Sequence, residues 1–209
     1  MHSPSKILAR SITATALLIS TSSLAHHPMG GETPDTYLNG FISGLAHPVI
    51  GVDHLAFIIG VGIVLGFGAL RGVVAPIALV AAAVAGTVLG WSGFAVPGTE
   101  VMVALSLLCV AATIFFKPQY RQLLIVMGAA TAFFHGQAYA GAILGAETSP
   151  LIAYLTGFTV VQVVIAAGAY FVTRWVVENH QNQVAFARAT AGTAIAGIGL
   201  LSVVAMVMA

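Results

Sequence analysis

Charged residues are scarce in this sequence. Only 6% of the 209 residues are Asp, Glu, Lys or Arg, whereas 59% are hydrophobic. Soluble proteins average about 25% charged residues, so this chain has too few of them to cover a surface in water. The low content of charged residues excludes an ordinary soluble domain as the fold class. It indicates an all-α, polytopic integral membrane protein, because helices satisfy their own backbone groups inside a bilayer.

Basic residues, cysteines and nucleotide-binding motifs are also few or missing. Seven basic and six acidic residues give a formal net charge of +1, which offers no electrostatic footprint for nucleic acid. The single cysteine, Cys109, lies in an apolar run and cannot form an intrachain disulfide, which favours a packing role. The only lysines are Lys6 and Lys117, so there is no phosphate-binding loop motif to use ATP.

The N-terminus has the pattern of a secretory signal peptide. Lys6 and Arg10 precede a short apolar segment, residues 12–19. Ser23 and Ala25 then supply the small residues of a cleavage site after Ala25. We therefore predict that the first 25 residues are a cleaved signal. An uncleaved first span is the alternative.

Six later stretches are long and apolar enough to cross a bilayer, which takes about 20 mainly apolar residues. They are residues 50–70, 73–92, 98–116, 122–145, 149–173 and 187–208. Turn and helix-breaking residues separate them, such as Lys117-Pro118 between the third and the fourth. We predict a single domain, residues 26–209, of six transmembrane helices.

The basic residues predict an orientation. If the N-terminus is exported, the loops after the first, third and fifth spans face the cytoplasm. All the basic residues outside the signal lie in or beside those loops: Arg71, Lys117, Arg121, Arg174 and Arg188. This matches the positive-inside rule. We therefore predict a protein of the bacterial inner membrane with both mature termini on the outer side.

The most unusual polar residues open the first predicted span. His47, Asp53 and His54 fall within eight residues. Ionisable side chains inside a bilayer are costly, about 2.5–3.5 kcal/mol each at a helix centre on insertion scales, so they usually serve a function. The alternative is that these side chains lie at the interface and reach out to water.

The spacing of the two histidines limits how they could share an ion. On an unbroken helix His47 and His54 differ by about 10.5 Å along the axis. Two imidazole nitrogens bound to one ion lie within about 4.2 Å of each other, because each metal–nitrogen bond is about 2.0–2.1 Å long. The histidines therefore need a bend, which Pro48 and Gly51 would permit, or they bind an ion in succession. Asp53 would bind the ion or orient a ligating imidazole.

Further polar residues are candidates for an accessory role. His135 and Tyr139, in the fourth span, are four residues apart and share a helix face. Gln162, in the middle of the fifth span, makes an interhelical hydrogen bond or adds a dipole to a pathway.

Four residues at chain or span ends are weaker candidates. Glu100 and Glu147 lie near the outer ends of predicted spans, where they are solvated or line the mouth of a pathway. His26 and His27 would begin the mature chain and capture metal outside, or they occur there by chance.

These motifs resemble a known family. Residues 47–55 read His-Pro-x-x-Gly-x-Asp-His-Leu, which resembles the signature of the HupE/UreJ family of nickel/cobalt permeases. Residues 134–139, Phe-His-Gly-x-Ala-Tyr, are similar to that family's fourth-helix motif. The resemblance implies uptake of Ni²⁺ or Co²⁺, with the ion as transported substrate, no resident cofactor and no enzymatic activity. Many members carry a second histidine where this chain has Tyr139, and a phenol is a poorer ligand for a divalent ion than an imidazole.

Two other functions are compatible with parts of the sequence. Gly90-Trp91-Ser92-Gly93 matches the G-x-S-G motif of rhomboid-like intramembrane serine proteases, with His135 as the base. His54 and His135 on facing helices would also suit the axial ligands of a haem electron carrier. The protease leaves the residues of the first span unexplained, and Asp53 would be an odd neighbour for a haem ligand.

The hypothesis that explains most of the sequence is a secondary permease for Ni²⁺ or Co²⁺. His47, Asp53 and His54 form the principal site, and His135 completes it or forms a second site. Imidazole-rich sites suit such metals better than Mg²⁺ or Ca²⁺. The expected partners are the divalent ion and membrane lipid, with a homo-oligomer or a metallochaperone as further possibilities, and no nucleic acid.

Overall fold

The computed structural model describes residues 33–68, 74–116 and 121–208. All the regular structure in these ranges is helical, so the all-α prediction is confirmed there. In chain order the helices are α1 (Tyr37–Ile50), α2 (Val52–Gly66), α3 (Val74–Trp91), α4 (Thr99–Phe116), α5 (Arg121–Ala140), α6 (Thr148–Asn179) and α7 (Val184–Met208). One-turn 3-10 helices, Gly141–Ile143 and Gln181–Gln183, follow α5 and α6.

Some sequence predictions fall outside the described residues. They concern the signal peptide with its cleavage site, His26, His27, Arg71 and Lys117.

Helix length and composition in the described ranges support four to five membrane spans. α4, α6, α7 and α5 with its 3-10 turn are each long and apolar enough to cross a bilayer. The pair α1 and α2 forms a fifth apolar unit, which is bent by 80°. The remaining helix, α3, is apolar but shorter. The six predicted spans are therefore supported only in part.

Helix α1 differs from the sequence prediction, which began the first span at residue 50. The Thr36 side chain caps α1 by accepting a hydrogen bond from the backbone N–H of Asn39 at 3.1 Å. α1 has only 14 residues, fewer than the about 20 that a straight span needs, which is why hydropathy alone did not reveal it. The structure thus adds a helix immediately before the histidine motif.

Small residues let the helices approach closely. α1 packs on α6, α3 on α5 and α4 on α7, while α2 contacts α4, α6 and α7. A Cβ atom added to Gly44 would lie 2.2 Å from the carbonyl oxygen of Tyr154, and one added to Gly136 would lie 2.0 Å from that of Ala83. These contacts place α1 against α6 and α5 against α3, as small residues commonly do in membrane bundles. They fix the helices that carry the candidate site.

The outer surface of the bundle is apolar, as expected for a membrane protein. Several large hydrophobic side chains are more than half exposed, among them Phe116, Val126, Val164, Phe171 and Val207. The two ends of the bundle differ in character. Near the C-terminal end of α2, the Arg188 guanidinium lies 4.1 Å from the centre of the Phe67 ring. Arg188 also donates to the Ile114 carbonyl at the end of α4. The histidine motif lies at the opposite end of α2.

Candidate metal-binding site

A sharp bend between α1 and α2 begins the site. Pro48 lies in the last turn of α1, and Gly51 joins the helices with an extended backbone, φ −73° and ψ 108°. A Cβ atom on Gly51 would lie only 2.8 Å from Cδ2 of His54 and 3.2 Å from Oδ1 of Asp53. Glycine is therefore required here by the closeness of these side chains rather than by the backbone angles, which any residue can adopt. The histidine spacing required either a bend between His47 and His54 or binding of an ion at each in succession, and the structure contains the bend.

Three histidines converge at this bend. The ring centres of His47 and His54 lie 5.9 Å apart, far less than their spacing on a straight helix. From α5, Nδ1 of His135 lies 3.0 Å from Nδ1 of His54. All three rings are only 1–3% exposed. We call His54 and His135 the histidine pair.

Asp53 lies at the edge of this cluster. Its side chain is 17% exposed, and Oδ1 lies 3.6 Å from Nδ1 of His54. The same oxygen accepts a hydrogen bond from the His54 backbone N–H at 2.8 Å. A carboxylate in the first turn of α2 also interacts favourably with the helix dipole. Asp53 thus brings a negative charge to the solvent side of the histidine pair.

Two buried hydroxyl groups that the sequence did not single out contact the histidines. Ser106 Oγ, on α4, lies 2.8 Å from Nε2 of His135. The Tyr154 hydroxyl, on α6, lies 3.2 Å from Nδ1 of His47. Both residues are far from their histidines in the chain, so no local motif could have revealed these contacts. Five helices, α1, α2, α4, α5 and α6, therefore contribute polar groups to one site.

Aromatic rings fill the space around the histidines. Tyr139 packs 4.4 Å from His54 and 5.0 Å from His47, measured between ring centres. Its hydroxyl is buried and has no hydrogen-bond partner among the described residues. Phe57 stacks on His135 at 4.0 Å. Tyr139 therefore contributes packing to the cluster in this arrangement, and its hydroxyl adds a polar group inside it.

The cluster does not yet form a complete coordination sphere. In the described ranges, no group of three or more His, Cys, Asp or Glu side chains is close enough to hold one ion. The histidine pair offers two nitrogens, with Asp53 nearest to them and the His47 ring further away. A third protein ligand from this cluster would require Asp53 or His47 to move.

Comparison with known proteins identifies a family and a related protein. The sequence profile of the family described as HupE / UreJ protein matches residues 14–202. The chain belongs to the HupE/UreJ family. It is also 30% identical to Protein HupE of Rhizobium leguminosarum bv. viciae over 162 residues, which make up 74% of this chain and 78% of that protein. No solved structure matches the chain.

Membership in the HupE/UreJ family confirms the resemblance noted in the sequence. Members of the family are transporters rather than enzymes, and the membership supports a transporter of the nickel/cobalt type in general terms. The apolar helices agree with a membrane protein.

The weaker candidates lie apart from the histidine cluster. Glu100, in the first turn of α4, and Glu147, at the N-cap of α6, are both exposed. Gln162 lines a cavity of about 680 Å³ between helices. Its side chain donates to the Phe158 carbonyl of its own helix at 3.3 Å, so the hydrogen bond found for Gln162 is intrahelical rather than the predicted interhelical one.

The geometry disfavours the two functions that compete with a HupE/UreJ transporter. Ser92 is exposed and donates to the Leu89 carbonyl at 2.7 Å, whereas Nε2 of His135 contacts Ser106. His135 is therefore not placed to act as a base for Ser92. Two axial haem imidazoles bind opposite faces of the iron, about 4 Å apart. The 3.0 Å separation in the histidine pair leaves no room for a porphyrin between the rings.

Proposed function

We propose that the protein is a secondary permease that takes up Ni²⁺ or Co²⁺ across the inner membrane, with the ion as its transported substrate. One observation carries the proposal. Two imidazole nitrogens from different helices, Nδ1 of His54 and Nδ1 of His135, lie 3.0 Å apart in the buried interior of an apolar bundle. Membership in the HupE/UreJ family supports the same class of transporter.

The separation suits two neighbouring ligands of one ion. With metal–nitrogen bonds of about 2.0–2.1 Å, nitrogens 3.0 Å apart subtend about 90° at the ion. Square-planar and octahedral complexes have that angle between adjacent ligands, and tetragonal nitrogen sites are typical of Ni²⁺ and Cu²⁺. Tetrahedral Zn²⁺ would hold the same nitrogens about 3.3–3.4 Å apart. The spacing is therefore compatible with two adjacent ligands of a Ni²⁺ ion, and the proposed preference for nickel or cobalt over zinc is supported by membership in the HupE/UreJ family.

The remaining ligands are proposed to come from the same bend. Asp53 is partly exposed beside the histidine pair, so it would meet an entering cation first and offset part of the lost hydration. His47, one turn before the bend, would then complete the site or receive the ion next. At 3.0 Å the two Nδ1 atoms form an N–H···N hydrogen bond when no ion is present, so the Nδ1 proton would move to Nε2 of the same ring or leave before both atoms bind the cation.

The charges at the two ends of the bundle support inward transport. Arg174 and Arg188 lie toward the end away from the histidine cluster, near the C-terminus of α6 and the N-terminus of α7. By the positive-inside rule that end would face the cytoplasm, and the cluster would then lie in the outer half of the membrane. This arrangement favours capture from outside. The 18 residues of α3 reach about 27 Å, so α3 could serve as a sixth span. Six spans would leave both mature ends outside, as expected if the signal is cleaved.

Uptake of radioactive nickel by cells tests the proposal. We expect His54→Ala and His135→Ala each to abolish uptake above background. The matched control is His180→Ala, because His180 follows α6 at the basic end and packs on Trp175 rather than in the cluster. Unlabelled nickel and cobalt should compete with the tracer better than zinc does.

The outcomes separate the alternatives clearly. Wild-type uptake by both cluster variants, with normal protein levels in the membrane, would refute the histidine pair as the site. Equal loss in the His180 variant would show that the effect is not specific to the cluster. Stronger competition by zinc than by nickel would refute the proposed metal preference.

A further inference from the structure

We propose that Ser106 and Tyr154 are positioning residues that fix the ring tautomers of two histidines, and so determine which nitrogens present a lone pair to the metal. This inference rests on the proposed function for its consequence in metal binding. The tautomers themselves are a property of the metal-free protein.

The first half of the inference concerns Ser106 and His135. Ser106 Oγ lies 2.6 Å from the Val103 carbonyl oxygen, which can only accept a hydrogen bond. The one hydroxyl proton is therefore used in that bond. The contact of 2.8 Å between Ser106 Oγ and Nε2 of His135 then requires the ring to donate. His135 consequently carries its proton on Nε2, and its lone pair is on Nδ1, the atom that faces His54.

The second half follows the same logic on α6. The Tyr154 hydroxyl donates to the Tyr139 carbonyl oxygen at 3.2 Å. It must therefore accept from Nδ1 of His47, which lies 3.2 Å away. His47 thus carries its proton on Nδ1 and its lone pair on Nε2. The hydroxyls of Ser106 and Tyr154 thus each donate a hydrogen bond to a backbone carbonyl and accept one from a histidine ring.

Burial makes these assignments effective. Ser106 and Tyr154 are both 0% exposed, and the histidine rings they contact are 1–2% exposed, so water does not replace the lost partner. A ring whose nitrogen is left without a partner in such surroundings would turn or change tautomer. Hydrogen-bond partners of ligating histidines commonly orient the ring in this way, and their loss typically lowers metal affinity about 10–100-fold.

The experiment begins with the tautomers of the metal-free protein. The full chain is labelled with ¹⁵N-histidine and studied by NMR in detergent near pH 8, and His47→Gln and His135→Gln assign the two signals of interest. We expect protonated Nε2 on His135 and protonated Nδ1 on His47. Ser106→Ala should convert His135 to a mixture of tautomers, and Tyr154→Phe should do the same for His47.

Matched controls make the same chemical change away from the histidines. Thr113, also on α4, donates to the Cys109 carbonyl of its own helix at 2.9 Å. Tyr170 lies on α6 like Tyr154. We expect Thr113→Val and Tyr170→Phe to leave both tautomers and the nickel affinity unchanged, whereas Ser106→Ala and Tyr154→Phe each weaken nickel binding about 10–100-fold.

Each result bears on one of the two proposals. The opposite wild-type tautomers would overturn this inference, and that measurement needs no variant to fold. Expected tautomers with unchanged nickel affinity in Ser106→Ala and Tyr154→Phe would overturn the positioning role alone. A wild-type protein with the expected tautomers that binds no nickel would refute the proposed function and leave the tautomer assignment standing. Ser106→Thr, which keeps the hydroxyl, should restore both readouts.

Discussion

Replacing Gly51 by alanine tests whether the bend sets the geometry of the site. The new Cβ atom would lie 2.8 Å from Cδ2 of His54, whereas carbon atoms in contact lie about 3.5–4.0 Å apart. The His54 ring must therefore move by about 0.7–1.2 Å. The backbone angles at this position, φ −73° and ψ 108°, are open to alanine, so the substitution acts through the ring and not through backbone strain.

The expected cost follows from how tightly a binding site must be held. Functional side chains need to stay within about 0.5 Å of their productive positions. A shift of the His54 ring larger than this would spoil its 3.0 Å separation from His135. We therefore expect Gly51→Ala to weaken nickel binding about 10–100-fold, as loss of supporting contacts does at other metal sites. That range corresponds to about 1.4–2.8 kcal/mol of binding free energy.

The assay is calorimetric titration of the purified protein with nickel, alongside nickel uptake by cells. Gly168→Ala is the matched control, because Gly168 lies in α6 and a Cβ atom there has no neighbour within 4 Å. Thermal unfolding of both variants should resemble that of the wild type. Nickel affinity in Gly51→Ala equal to that of the wild type would refute the view that this close contact positions His54. A matching loss in Gly168→Ala would point to a general effect on the bundle.

Three further predictions concern other parts of the protein. Nickel uptake should fall at acidic pH, because only neutral imidazole binds metal; initial rates that stay level down to the pH at which the protein unfolds, at constant membrane potential, would contradict histidine ligation. Ser92→Ala should leave uptake unchanged, since the Ser92 side chain is exposed and donates to the Leu89 carbonyl near the end of α3; loss of uptake would support a role for this serine. Gly136→Ala should lower the unfolding temperature of the protein in detergent, because its Cβ atom would lie 2.0 Å from the Ala83 carbonyl and overpacking typically costs about 1–3 kcal/mol. Gly197→Ala, with open space around the added atom, is its control, and equal unfolding temperatures of the two variants would refute the close packing of α3 on α5.

The bend illustrates where reasoning from sequence reached its limit. The 10.5 Å spacing, from about 1.5 Å of rise per residue, showed that His47 and His54 need a bend to share an ion, and Pro48 and Gly51 marked where it could occur. Nothing local indicated that the helix before the bend begins at Tyr37. With 14 residues α1 is too short to be read as a separate span, and in the structure it packs on α6. Hydropathy identifies apolar segments by length and composition, and it does not show that two short helices on either side of a bend form one apolar unit.

The sequence by itself determined the class of the protein, its helical composition and the histidine motif, because these depend on composition and on neighbours along the chain. Only the tertiary structure brought His135 to 3.0 Å from His54 and placed Ser106 and Tyr154 on the rings of His135 and His47. Those contacts join residues 29 to 107 positions apart. They form only when the glycine-containing faces of neighbouring helices pack together, and the packing of the whole bundle, rather than any one segment, decides which helices are neighbours.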